Sequence, residues 1–255
     1  MHEEFWVDLL RVHCYPSRDE LGASCAKFAA EQIRAILAEK EEANLIFASS
    51  PSQMDVLNAL RREDVDWSRV NAFHMDEYIG IAPDHKASFV GYLRDNFFQY
   101  LPLKNTFYMN GLAEDIEAEC ERYSALLREH PIDLTFAGIG ENGHMAFNDP
   151  YLADFFDPKL VKPNLSLDEE CRMQQVHDKW FSCEAEVPQG AITLTMPTLL
   201  RAPVLIVISP SETKSAIVQK CLEGPVGLAV PATAMRLHKN AQLFLDTAAA
   251  ALLNR

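Results

Sequence analysis

Short apolar runs alternate with longer amphipathic ones along the 255 residues. LRVHCY (10–15), NLIFASS (44–50), RVNAFHMDEY (69–78), IDLTFAGIG (132–140) and APVLIVIS (202–209) have the length and β-branched or aromatic content of buried strands. The segments between them have apolar residues at helical spacing: ELGASCAKFAAEQIRAILAEK (20–40), SQMDVLNALRR (52–62), ASFVGYLRDNFFQYL (87–101) and EDIEAECERYSALLREH (114–130). SETKSAIVQKCLEG (211–224) reads as a further helix ended by Gly224, and QLFLDTAAAALL (242–253) as a last strand running into a helix. This order predicts an α/β fold, a single doubly wound, mainly parallel sheet with helices on both faces, Rossmann-like. No repeat or composition shift divides the chain, so 1–255 reads as one domain. Pro150 to Glu170 is its least regular stretch, and 150–182 reads as a surface loop or an active-site lid.

Composition narrows the function. Lys and Arg total 23 against 37 Asp and Glu, a net charge of −14, which argues against tracking a nucleic-acid backbone. A phosphorylated small molecule stays open, because one local cation and a helix N-terminus suffice to hold a phosphate. Six scattered cysteines form no CxxC pair, and the eight histidines show no HxH or HxxxH spacing, so neither a disulfide framework nor a metal centre is expected. MHEEFWVDLL has acids where a signal peptide carries positive charge, and no apolar run is long enough for a bilayer. A cytoplasmic protein with no membrane or nucleic-acid partner is the expectation.

Three polar clusters fall where the strands end: ASSPSQ (48–53), HMDEY (74–78) and GENGHMAFND (140–149). Ligands of such sheets bind beyond the C-terminal strand ends. In the first cluster Ser49, Ser50 and Ser52, with free N–H groups at a helix start, suit an anion, although hydroxyls there are also ordinary caps. Lys214, in the first turn of a helix, opposes the macrodipole and so invites an anionic ligand, or else pairs with Glu212. In HMDEY the consecutive Asp76 and Glu77 face opposite ways on an extended backbone, so one is free to enter a cleft. In the third cluster His144 has glycine, acid and amide neighbours, a setting for proton transfer near neutral pH.

Taken in order, these clusters resemble the glucosamine-6-phosphate deaminase family, which is related to the 6-phosphogluconolactonases. ASSPSQ stands at the phosphate loop, HMDEYIG at the MDEY motif and GIGENGHMAFNDP at GxGxxGHxAFNxP, with further likeness in DNFF (95–98), AITLTMPTLLRA (191–202) and SETKSA (211–216). The lactonases usually carry a DGHTASLFP-like second motif, so FNDP favours the amino-sugar branch. The resemblance implies a cofactor-free, deaminating aldose–ketose isomerisation of an amino-sugar 6-phosphate, with glucosamine 6-phosphate leading to fructose 6-phosphate and ammonia. It implies Asp76 as the base between C2 and C1, His144 as the proton carrier in ring opening, and Asn142 and Asp149 as residues that orient it. Ser49, Ser50, Ser52, Gln53, Glu77, Gly140 and Lys214 become substrate-binding candidates, with Arg172 or Lys179 as the phosphate clamp. Two positions depart from the family pattern. Asn142 stands where the family has aspartate, so His144 is expected to be less basic. Ser49-Ser50-Pro51 replaces a glycine-containing run, which removes one N–H donor. The alternatives are a catalytically weak sugar-phosphate sensor or, less favoured, a lactonase; a homo-oligomer is compatible with either.

Overall fold

A computed structural model describes residues 2–254. The strands are β1 (Glu3–Val7), β2 (Leu10–Tyr15), β3 (Ala43–Phe47), β4 (Val70–His74), β5 (Asp76–Tyr78), β6 (Asn105–Phe107), β7 (Leu134–Ala137), β8 (Val161–Asn164), β9 (Ala191–Leu194), β10 (Val204–Ile208) and β11 (Ala241–Asp246). The α-helices are α1 (Arg18–Glu39), α2 (Met54–Leu60), α3 (Phe89–Asn96), α4 (Ile116–Glu129), α5 (Glu169–His177), α6 (Met196–Leu199) and α7 (Ser215–Glu223).

The main sheet has eight strands in the order β1-β2-β11-β10-β7-β3-β4-β6. All its pairings are parallel except the β1–β2 hairpin at the edge. Side chains of a strand alternate between faces, and the core is divided accordingly. Ile46, Ala137, Leu205, Val207, Leu243 and Leu245 join one apolar cluster, which α4 and α7 cover. Leu45, Phe47, Phe136, Ile206, Ile208 and Phe244 join the opposite one, covered by α1 and α2. The start of α1 is set by Ser17, whose side chain accepts from the Glu20 N–H, with Glu20 three positions on as in a capping box.

The expectation of a doubly wound parallel sheet holds, but it is not the only sheet. β5, β9 and β8 form a separate antiparallel three-stranded sheet. The apolar run expected as one strand over 69–78 therefore breaks at Met75, between β4 and β5, because β5 leaves to pair with β9. His74 holds this corner. Its Nδ1 donates to the Asp76 carbonyl at 2.9 Å and its Nε2 accepts from the Met109 N–H at 2.8 Å. The C-terminal helix expected within 242–253 is also absent. β11 ends at Asp246 and successive turns follow, tied by the Asp246 carboxylate to the Ala249 and Ser211 N–H groups. Residues 150–182 are more regular than expected, containing β8 and α5. A third apolar cluster joins this segment to the rest: Cys171 and Phe181 pack with Tyr78, Phe89 and Phe147. Among the described residues no helix is long and apolar enough to cross a membrane.

The order of the main sheet places a switch point between β3 and β7. From β3 the chain proceeds outward to β4 and β6; from β7 it proceeds the other way to β10 and β11. Loops after two such strands part from each other and leave a crevice at their C-terminal ends.

Candidate active site

A cavity of about 150 Å³ lies at that crevice. The loop after β3 contributes Ser49, Ser50 and Ser52, the β4–β5 corner contributes Met75 and Asp76, and the loop after β7 contributes Gly138, Gly140 and His144. The loop after β10 adds Ser211, Thr213 and Lys214, and the segment expected as a lid adds Gln174, Gln175, Asp178 and Trp180. The three sequence clusters thus meet in one place, with Asp76 and His144 in the same cavity.

Asp76 is 7 % exposed, and its carboxylate makes no hydrogen bond within the described residues. Burial, and secondarily the neighbouring Glu77, push its pKa well above the ordinary aspartate value. Glu77 turns the other way, as alternation on β5 requires. Its oxygens accept from the N–H groups of Tyr78, Phe89 and Val90 and from the Ser88 hydroxyl, at 2.7–3.2 Å. This carboxylate is an anchor for the positive end of α3. It does not line the cavity, which removes the expected contact with substrate.

His144 is buried, and its ring lies so close to Gly140 that a Cβ there would come within 2.1 Å of Cε1. Gly143 has φ +90, a left-handed conformation that L side chains rarely adopt. The two glycines of this motif thus serve the histidine: one clears space for its ring, the other makes the turn that brings it back. Nδ1 lies 2.7 Å from Asn142 Oδ1 and 3.7 Å from Asp149 Oδ1. An amide oxygen only accepts, so Nδ1 carries the proton and Nε2 is a free lone pair. Burial, followed by opposing contributions from Asp149 and Lys214, keeps the imidazole below its ordinary pKa. The sequence expectation of a less basic histidine points the same way. Asp149 is fully buried; its Oδ2 accepts from Asn164 Nδ2 and from the Asp168 N–H, which leaves Oδ1 turned toward the imidazole.

His144, Asp149 and Cys171 have donor atoms within 4.8 Å of one another. They do not suit a metal. Burial and the nearby carboxylates raise the Cys171 pKa far above the usual thiol value, so the thiol stays protonated, and the imidazole nitrogen facing the pair carries its own proton.

In the same cavity Lys214 is 9 % exposed and has no ion-pair partner within 4.0 Å among the described residues. Burial lowers its pKa, against the pull of Glu141 and Asp178. Ser49 Oγ is buried without a hydrogen-bond partner, and Ser50 and Ser52 share a 2.6 Å hydrogen bond. A desolvated cation that shares a cavity with an unpartnered hydroxyl, that of Ser49, is a receptor for an anion.

Several expected contacts fall elsewhere. Gln53 is buried behind the serine loop, donating to Ser52 Oγ and to the Ala137 carbonyl. Arg172 forms an ion pair with Glu184 outside the cavity, and Lys179 occupies a left-handed turn with φ 64, also outside it. Neither proposed clamp reaches the site. The second cation is instead Arg18, at the first position of α1. Its guanidinium donates to Asp55 at 2.8 Å and to the Pro51 carbonyl at 3.2 Å, and it lines the cavity beside the serine loop. Nothing in the sequence pattern around Arg18 distinguished it from a helix-start residue, because its partner loop follows thirty residues later.

A family model described as glucosamine-6-phosphate isomerases/6-phosphogluconolactonase matches residues 16–148. Glucosamine-6-phosphate deaminases of Bacillus thuringiensis (strain Al Hakam) and Bacillus anthracis (strain A0248) are 32% identical over 220 residues, 86% of this chain and 82% of theirs. The chain belongs to the glucosamine-6-phosphate isomerase/6-phosphogluconolactonase family. Within this family a solved monomeric glucosamine-6-phosphate deaminase superposes with a TM-score of 0.86 at 29% identity, covering 96% of this chain and 99% of that one. The 6-phosphogluconolactonase of Trypanosoma brucei superposes at 0.76 with 18% identity, covering 99% and 100%, which shows a common fold. The first two sequence clusters lie within the matched span and the third runs one residue past it, to Asp149, whereas Lys214 and the segment 150–182 lie beyond it.

Proposed function

We propose that the protein is a cofactor-free deaminase–isomerase of an amino-sugar 6-phosphate, glucosamine 6-phosphate first among them, yielding fructose 6-phosphate and ammonia. The observation that carries this reading is one cavity lined by an unpartnered carboxylate, a neutral imidazole with a free nitrogen, a buried lysine and the three serines of the loop after β3. Lys214, Arg18 and the serines take the phosphate. His144 Nε2 takes the proton of the anomeric hydroxyl and returns it to the ring oxygen as the C1–O5 bond opens, a relay that starts from a bare nitrogen. Asp76 then removes the C2 proton and delivers it to C1, and the C2 imine so formed adds water and releases ammonia. Desolvation strengthens Asp76 as a base for that transfer. The substrate's own carbonyl accepts the electron pair, so these residues need no cofactor.

The deaminase likeness at 32% identity supports the amino-sugar branch over the lactonases; the Trypanosoma brucei lactonase, at 18% identity, shares the fold alone. The six cysteines carry no disulfide among the described residues, and we take the cytoplasm as the enzyme's compartment. Ammonia release from glucosamine 6-phosphate tests the proposal, with Asp76→Asn as the inactive control. Saturable sugar-phosphate binding without ammonia would make the protein a sensor, and hydrolysis of 6-phosphogluconolactone would make it a lactonase.

A further inference from the structure

The Asn142 side chain sits where only one of its two amide orientations is allowed. Its Oδ1 receives the His144 backbone N–H at 3.0 Å, a group that can only donate. Its Nδ2 donates to Asp168 Oδ1 at 3.1 Å, a group that, ionised, can only accept. Reversing the amide would set a donor against each donor and an acceptor against each acceptor. The His144 tautomer depends on this orientation, since Nδ1 bonds to the same Oδ1 at 2.7 Å. A reversed amide would require Nδ1 to accept, and would move the ring proton to Nε2.

Asp168 has a second hold on the histidine's surroundings. Its backbone N–H donates to Asp149 Oδ2 at 3.0 Å, which fixes the carboxylate whose other oxygen faces Nδ1. The same residue is the N-cap of α5, accepting from the Glu170 N–H at 3.0 Å, and α5 supplies Gln174 and Gln175 to the cavity. Asp168 therefore ties three things together: the amide that sets the tautomer, the acid behind the imidazole, and the helix that covers the site.

We propose that Asp168 is a positioning residue that locks the His144 tautomer through Asn142, its own charge held one residue further from the ring than an aspartate at 142 would place it. The inference rests on the reading that His144 Nε2 moves a proton. A carboxylate acting through an intervening amide fixes orientation but stabilises an imidazolium less than one in direct contact. The other charged groups facing His144 are Asp149, Glu141 and Lys214, with His177 paired to Glu141 at its rim at 3.2 Å.

The test separates the tether from the cap. Asp168 Oδ1 serves both bonds; Asp168→Ser keeps an N-cap hydroxyl, but on a shorter, uncharged side chain that draws the acceptor back from Asn142. ¹⁵N spectra of histidine-labelled protein, with the His144 signals assigned by His144→Gln, should show Nδ1–H in the wild type. In Asp168→Ser they should show a tautomer mixture, with kcat down about 10²-fold, the scale of a misoriented reacting group. Asn142→Asp alone places two carboxylates against each other and should also lose activity. The exchanged pair Asn142→Asp/Asp168→Asn restores the donor–acceptor match between the two side chains, at the cost of the Glu170 N–H cap that shares Asp168 Oδ1; it should regain activity and the Nδ1–H tautomer relative to Asn142→Asp, with the imidazole titrating higher than in the wild type. An unchanged tautomer and pH profile in Asp168→Ser overturns the proposal. So does an exchanged pair that folds but stays as impaired as Asn142→Asp. If the wild type releases no ammonia yet its tautomer shifts in Asp168→Ser, the functional reading fails while the positioning role stands.

Discussion

Replacing Asp76 with asparagine should remove activity and raise stability. The carboxylate is 7 % exposed, has no hydrogen-bond donor among the described residues, and sits beside the buried Glu77. Its folded pKa lies above its unfolded value, so the folded state holds the proton more tightly. Stability is therefore lost as pH rises from the ordinary aspartate range through the raised value, and the ionised group is a net cost above it. A buried polar group without a partner costs about 1–3 kcal/mol, and more when charged. Asparagine removes the charge but stays polar, so the expected gain is about 1–2 kcal/mol near pH 8. At about 2–4 °C per kcal/mol for a chain of this size, that is a rise in Tm of about 2–8 °C. Thermal unfolding of both proteins from about pH 4 to 8 checks it. The difference should be largest at high pH and vanish at low pH, where the wild type is itself protonated. A variant of equal or lower Tm at pH 8, or a gap independent of pH, would refute the claim that this carboxylate is held desolvated.

Glu77 should behave oppositely: Glu77→Ala strips three donors at the start of α3 and the Tyr78 N–H on β5 of their acceptor, and chemical denaturation should show a loss of about 2–4 kcal/mol. Lys214→Ala should weaken competition by inorganic phosphate about 10- to 100-fold, because the group removed is a buried cation whose partner is the ligand; unchanged inhibition would remove it from the phosphate site. Burial lowers His74 to about 4, with both ring nitrogens engaged as a neutral tautomer. Its contribution is present above the ordinary histidine value and is lost as pH falls toward 4, so the wild type should lose roughly 3 kcal/mol over that window relative to His74→Gln.

Sequence carried the fold where periodicity was strong and failed where tertiary pairing overrode it. β3, β7 and β10 are buried on both faces, and such strands read as continuous apolar runs. The antiparallel sheet was hidden for the opposite reason: β5 is three residues long and continuous in sequence with β4, and β8 contains Pro163 between Lys162 and Asn164. Its existence depends on β9 arriving from more than one hundred residues away. Site legibility followed the same division. His144 and the serines stand on loops that leave parallel strands, and Asp76 opens β5 just beyond the end of β4, so their position in the fold follows from order in the chain. Arg18 and the residues of α5 reach the cavity only through packing, and the two cations expected as clamps were drawn to Glu184 and to a surface turn. Glu77 shows the limit of reading adjacent acids: alternation predicted that only one would enter the cleft, but not which.

The two proton-moving groups are tuned by one physical cause acting with opposite sign. Burial disfavours charge, so it raises Asp76 and lowers His144. For the acid this means a stronger base once ionised; for the imidazole it means a nitrogen that begins each cycle empty, ready for the sugar hydroxyl. Neither shift requires a charged partner in contact, and an aspartate at position 142 would oppose the second by favouring the imidazolium. Asn142 therefore agrees with the rest of the cavity: its amide orients the ring without adding to the charge there, while Asp168 keeps that amide from turning. In the proposed reaction the substrate's phosphate brings its charge to Lys214 and Arg18, which line the same cavity.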